Sequence, residues 1–453
     1  MPNPSSAKKA NPFAVQRAKL KATYRTARFL LKMFGAITLL LALVMTWVLS
    51  SLFHLNIPMA FLGSIVACIV LGMVVLPVKV VWRSKLSQIC QVEGPWELAD
   101  ELTFSEIGTA LDDILSGRRP REEKPNLALA LTNVKLLFIR KGEPQKALKI
   151  AEYLVENSEP GTSNYIYQKN TLACLNVEMG MYQHGMALLR ANLAQLESEE
   201  RAGSPAYNSV MLGMLEAYIQ QRRVDEAEMW LAKLKESIDT MHGNTCKNHT
   251  DELVKFDVGS FEKDMAFYWK GLGRIKAIRD DVSAEDAFKQ ALELMSKECN
   301  RKHLTLLYPE IMLKFADFKI QRKKYREAES LIKDAIAYFD QKTRYRGPAY
   351  LSGQCAHAYV KFKTGAAPEQ CLQDMEAAVT ALKSHYQEGH PLIATALAQL
   401  GECYIAAGKY DAARDALARA LSARKTLFPQ NDATILEVEN LLASVPENAS
   451  LSA

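Results

Sequence analysis

One stretch constrains this chain more than any other: His390–Phe428, HPLIATALAQLGECYIAAGKYDAARDALARALSARKTLF. Its apolar and small residues form two helical runs, Leu397, Leu400, Gly401 and Tyr404, then Ala413, Leu417 and Ala420, parted by a Gly408-Lys409-Tyr410 turn. Two short antiparallel helices are expected. Gly401 and Ala413 are small where they would cross, so the backbones can approach, while Tyr404 and Leu417 fill the space beside them. A hairpin of this size leaves an apolar face uncovered and needs neighbours of its own kind, so the chain is expected to repeat.

It does. The small, large, small pattern of the second helix recurs at spacings of four and three as Cys371, Met375, Ala378; Ala328, Ile332, Ala335; Ala284, Phe288, Ala291; Ala227, Leu231, Leu234; Gly185, Leu189, Asn192; and Ala147, Ala151, Leu154. That makes seven helical hairpins, with first members 38, 42, 57, 44, 43 and 42 residues apart. The long interval holds a polar segment, Ser237 to Val258. First helices are more degenerate: Ala173 and Ala316 fit their small position, whereas Lys135 departs from it. A last helix over Ala433–Ala443 would cover the open end of the array.

The His390–Phe428 segment resembles a tetratricopeptide repeat, carried by Leu400, Gly401, Tyr404, Ala413, Leu417 and Ala420. Its His390-Pro391 opening and Arg424–Asp432 exit are similar to the longer repeats of kinesin light chains. The resemblance covers roughly residues 126–442. It implies an all-α fold, a right-handed superhelix of about seven helix pairs whose first helices line a concave groove that binds a protein or peptide.

Upstream the character changes. Residues 1–32 hold eight Lys or Arg and no acid, whereas residues 83–453 hold 47 basic against 51 acidic side chains. The basic signal therefore belongs to a tail, and nucleic acid is excluded as the expected ligand. Residues 33–55 and 57–78 carry no formal charge, and each is long enough for the roughly 20 residues of a membrane helix. The expected domains are a basic tail with an amphipathic helix (1–28), a transmembrane hairpin (29–82), a helical adaptor and linker (83–125), the repeat array with its capping helix (126–444) and a disordered tail (445–453). Basic residues on both flanks of the hairpin imply a multi-pass membrane protein, with the bilayer as a partner and both termini and the repeats on the cytoplasmic side. Eight cysteines without a CxxC pair read as reduced, buried thiols.

Groove-facing candidates are first-helix residues turned away from the hairpin partner: Thr132, Asn133, Asn170, Thr171, Glu216, Lys270, Glu310, Lys314, Asp317, Gln399 and Glu402. Their mixed polarity suits the amides and charges of an extended peptide. His242, Cys246 and His249, with Asp251, form the one metal-like cluster. Against it stand Gly243, two Asn and the lack of a second ligand pair. No Gly-rich phosphate loop, nucleophile elbow or HExxH is present, so neither an enzyme nor a cofactor is expected. The reading is a membrane-anchored scaffold that recruits a protein partner. Its rivals are a structural subunit of a membrane complex and a metal-dependent sensor or enzyme.

Overall fold

The structure, a computed structural model, describes residues 107, 109–120, 127–201, 203–248, 254–300, 306–343 and 345–446. The chain divides into two compact units, Met1–Ala110 with Glu122–Asn133, and Leu111–Arg121 with Val134–Ala453. In the first unit, Ile107 and Ala110 are buried, as are Leu127, Ala130, Leu131 and Asn133.

Among the described residues every regular element is a helix. A short α1 (Ala110–Leu115) precedes seven consecutive pairs. These are α2 and α3 (Leu127–Lys141, Pro144–Glu156), α4 and α5 (Ser163–Glu178, Tyr182–Ser198), α6 and α7 (Pro205–Gln220, Val224–Asn248), and α8 and α9 (Val254–Ile278, Ala284–Asn300). There follow α10 and α11 (Leu307–Gln321, Tyr325–Tyr338), α12 and α13 (Pro348–Lys363, Pro368–His385), and α14 and α15 (Pro391–Ala406, Tyr410–Leu427). The final α16 (Ala433–Ala443) packs on α15 and buries Ile435 and Val438.

Every position of the small, large, small pattern is buried, in all seven second helices. In hairpin seven, a Cβ built on Gly401 would lie 2.6 Å from Leu417 Cγ; in hairpin two, one on Gly185 would lie 2.9 Å from the Ala173 carbonyl oxygen. The small residues are therefore what permits these approaches, and the adjoining large ones occupy the space. In hairpin four the large residue is Phe288, stacked on Phe315 of the next pair with centroids 5.4 Å apart. Each seam thus also binds its hairpin to a neighbour.

All seven hairpins turn in the same way. Within two residues of the end of each first helix one residue has a positive φ, and the following amide donates to a carbonyl five residues back: Lys409 to Tyr404 in hairpin seven, Arg223 to Tyr218 in hairpin three. That is the Schellman ending, which satisfies carbonyls the helix leaves open. Glycine takes the left-handed position at Gly142, Gly180, Gly365 and Gly408; Arg222, Asp280 and Lys323 take it elsewhere.

The long interval is not a loop. α7 runs on through Asn248 and α8 begins at Val254, so two 25-residue helices occupy most of the polar segment expected to connect hairpins three and four. Ser237, at its start, is buried and donates to Asn208 Oδ1 at 2.5 Å. Lys135, the misfit of the first helices, is fully buried with Nζ 2.8 Å from Gln168 Oε1, and burial lowers its pKa to about 8.

One expectation is corrected. Placement as a multi-pass membrane protein does not stand, because among the described residues no helix is long and apolar enough to cross a membrane. Even the longest, α7 and α8, are amphipathic and studded with charge, as at Asp225, Glu226 and Lys276. The stretches behind that expectation, residues 33–55 and 57–78, lie outside the described residues, as does the basic tail.

Candidate functional site

Within the second unit, successive first helices touch one another: α4 with α6, α6 with α8, α8 with α10, α10 with α12 and α12 with α14. They form one continuous inner layer. This layer surrounds a cavity of about 820 Å³, within the range of small-ligand sites.

The inner layer also returns upon itself. α14 begins at the cap His390, whose Nδ1 accepts the Leu392 amide at 3.2 Å. The other ring nitrogen therefore carries the proton, and His390 Nε2 donates to the Glu178 carbonyl at 2.8 Å, an open carbonyl at the end of α4. Hairpin two is so joined to hairpin seven. The imidazole is buried and stacked on Tyr386 at 4.0 Å, and burial pushes its pKa down to about 4. Beside it, Arg222 Nε pairs with Asp432 at 2.5 Å and its guanidinium lies over Phe428. Apolar contacts follow the same line: Met179 packs on the cluster of hairpins six and seven, and Leu427 on that of hairpins two and three. Gly142 completes the closure, since a Cβ there would lie 2.7 Å from the Arg346 carbonyl oxygen.

Charges inside the cavity are mostly matched. Arg274 Nη1 meets Glu216 Oε2 at 2.6 Å, and Gln220 donates to the other oxygen at 2.8 Å. Burial raises the Glu216 pKa, but Arg274 and Lys270 outweigh it and hold the carboxyl well below its usual range. Lys270 lies 3.8 Å from Glu310, whose pKa is raised by burial despite that ammonium. Lys314 pairs with Asp317 at 3.0 Å. Glu178 differs: burial, then the Glu310 and Glu216 charges, push its pKa up to about 7, and among the described residues no lysine or arginine pairs with it.

Of the sequence candidates, Glu216, Lys270, Glu310, Lys314 and Asp317 line the cavity. Asn170 is buried beneath it, donating to Ser209 Oγ at 2.7 Å. The other five lie elsewhere. Thr171 donates to the Tyr167 carbonyl of its own helix, Glu402 accepts from Tyr359 at 2.5 Å and from Lys363, Gln399 is half-buried on α14, and Asn133 is buried in the first unit. Thr132 likewise bonds its own helix backbone. Glu178, Arg274, Tyr345, Tyr386 and His390 line the cavity without having been singled out as groove residues. The spacing of four from Lys270 could have flagged Arg274; the two tyrosines and His390 precede helices, where a helix-face argument does not look. Side chains of the His242, Cys246 and His249 cluster lie outside the described residues. Among the described residues no group of His, Cys, Asp or Glu is placed to hold a metal ion.

No family model and no curated protein matches the chain. Solved structures do. A Rap protein complexed with competence and sporulation factor is 12% identical, with a TM-score of 0.45, the match covering 82% of this chain and 97% of that one. The apo form of the quorum sensor NprR from B. thuringiensis is 14% identical, with a TM-score of 0.42, over 72% and 82%. A Podosopora anserina putative kinesin light chain with nearly identical TPR-like repeats is 13% identical, with a TM-score of 0.24, over 58% and 95%.

Proposed function

We propose that this chain is a helical-repeat binding protein that receives a short peptide, or an extended segment of a protein, in its interior cavity. The supporting observation is the cavity itself: about 820 Å³ bounded by six successive first helices. Apolar Leu212, Phe267 and Leu313 alternate there with polar Ser209, Gln220, Ser352 and Thr395. An extended backbone needs partners for its amides at each step and apolar space for alternate side chains, and such a lining offers both. Glu216, Lys270, Glu310, Lys314 and Asp317 are the contacts this reading assigns to the ligand. Asn170 supports them through Ser209.

The test is selection of peptides from a random pool by the full-length protein, repeated with Thr395→Trp, a change that fills the cavity from an exposed position on α14. At least tenfold weaker capture with unchanged helical circular dichroism is expected. Equal capture by the two proteins would place the ligand elsewhere and overturn the reading.

A further inference from the structure

We infer that the cavity selects ligands bearing a cationic group, an amine or guanidinium, which Glu178 and Tyr386 hold where hairpins two and seven meet. This rests on the reading of the cavity as a ligand site. The charges on its wall leave one carboxylate over. Glu216 has Arg274 and Gln220, Glu310 has Lys270, Asp317 has Lys314, Asp264 has Lys263 and Asn208 as its favourable neighbours, and Arg222 is engaged by Asp432. Among the described residues, only Glu178 faces the space with like charges as its main electrostatic neighbours. An anionic ligand would compete with Glu216, Glu310 and Asp264 for the cations beside them, whereas a cationic one at Glu178 disturbs none of these pairs.

A second observation comes from another element. Tyr386 also lines the cavity and is 3% exposed, and among the described residues its hydroxyl has no hydrogen-bond partner. Its phenol lies within the field of Glu178, which together with burial drives its pKa upward, so it stays protonated. A neutral phenol oxygen can accept from an N–H while a neighbouring carboxylate accepts another from the same cation. A buried polar atom left unsatisfied is uncommon, and a donor-rich ligand group satisfies both residues at once.

The pH dependence follows. The groups that face Glu178 are Cys174 on its own helix, Glu216 from α6, Glu310 from α10, and Tyr345, Tyr386 and His390 from the segments leading into α12 and α14. With the Glu178 pKa near 7, a bound cation drives a proton off the carboxyl, and affinity rises with pH between about 6 and 8. His390 titrates near 4, below that window.

The probes are two pools of end-blocked pentapeptides with mixed flanking residues, one with arginine at the centre and one with its neutral isostere citrulline. Full-length protein should bind the arginine pool at least tenfold more tightly at pH 8, with a smaller ratio at pH 6. In Glu178→Gln the ratio should fall below twofold while citrulline binding is unchanged, and Tyr386→Phe should lower it part-way. Glu178→Asp, which keeps the charge, should retain a preference. Equal binding of the two pools by the unmodified protein, or an undiminished preference in Glu178→Gln, would overturn the inference and leave the peptide-site reading standing. Failure of both pools to bind would end both.

Discussion

In the seam of hairpin seven, Leu417 closes over Gly401 and nothing polar intervenes. In the cavity, Glu216, Arg274, Lys270 and Glu310 stand in a row of charge on the neighbouring faces of α6, α8 and α10. The helices carrying these charges are held by the seams behind them. The difference teaches that a first helix of this array has two faces under separate constraints: one must fit its partner to within a methyl group, and the other need only remain solvated or paired. Stability should therefore respond to volume in the seams and to charge state around the cavity.

The largest effect should come from breaking a seam. Phe288→Ala removes a fully buried ring stacked on Phe315, and a loss of about 3–5 kcal/mol is expected in urea unfolding. Next is the closure at His390. Because its folded pKa lies below the ordinary 6.5, its contribution is present above that pH and drains away as pH falls towards about 4. The full shift corresponds to about 3 kcal/mol. Thermal melts at stepped pH should show this slope in the unmodified protein and not in His390→Ala. Asp432→Ala, which removes both the Arg222 pair and the cap on the Thr434 amide at 3.0 Å, should cost about 1–2 kcal/mol by the same melts.

Around the cavity the sign reverses. The Glu178 pKa is raised, so its burial is tolerated below the ordinary carboxylate range and becomes destabilising as pH climbs through about 7. Glu178→Gln should then stabilise the unliganded protein by up to about 3 kcal/mol at pH 8 and by about 1 kcal/mol or less at pH 5. The smallest effect should come from the turns. Lys323 is exposed with φ 57°, so Lys323→Gly should stabilise by about 0.5–1 kcal/mol, whereas Arg222→Gly forfeits its pair with Asp432 and should show no net gain.

The same division explains what could be read from the amino-acid order. Seams were legible because Ala284, Phe288 and Ala291, like their counterparts, must be small or large at fixed spacings to be buried at all. Turns were legible at Gly408 and hidden at Arg222, Asp280 and Lys323, where side-chain residues adopt the backbone that glycine advertises. The extension of α7 and α8 was missed because Ser237 to Val258 reads only as a polar segment and is given no helix, although amphipathic helices tolerate such polarity. Cavity residues were half legible. Glu216 and Lys270 follow from helical phase, but the meeting of Glu178 with His390, 212 positions apart, depends on the array returning upon itself. No local pattern encodes that.

Amide hydrogen exchange of the full-length protein, with and without the arginine-centred pentapeptide pool, tests most directly whether the inner helices enclose a ligand chamber. Added protection is predicted along α6, α8 and α10 and at the junction of α4 with α14, with α7, α9 and α11 unchanged. Protection confined to those second helices, or none anywhere while peptide is bound, would contradict the account.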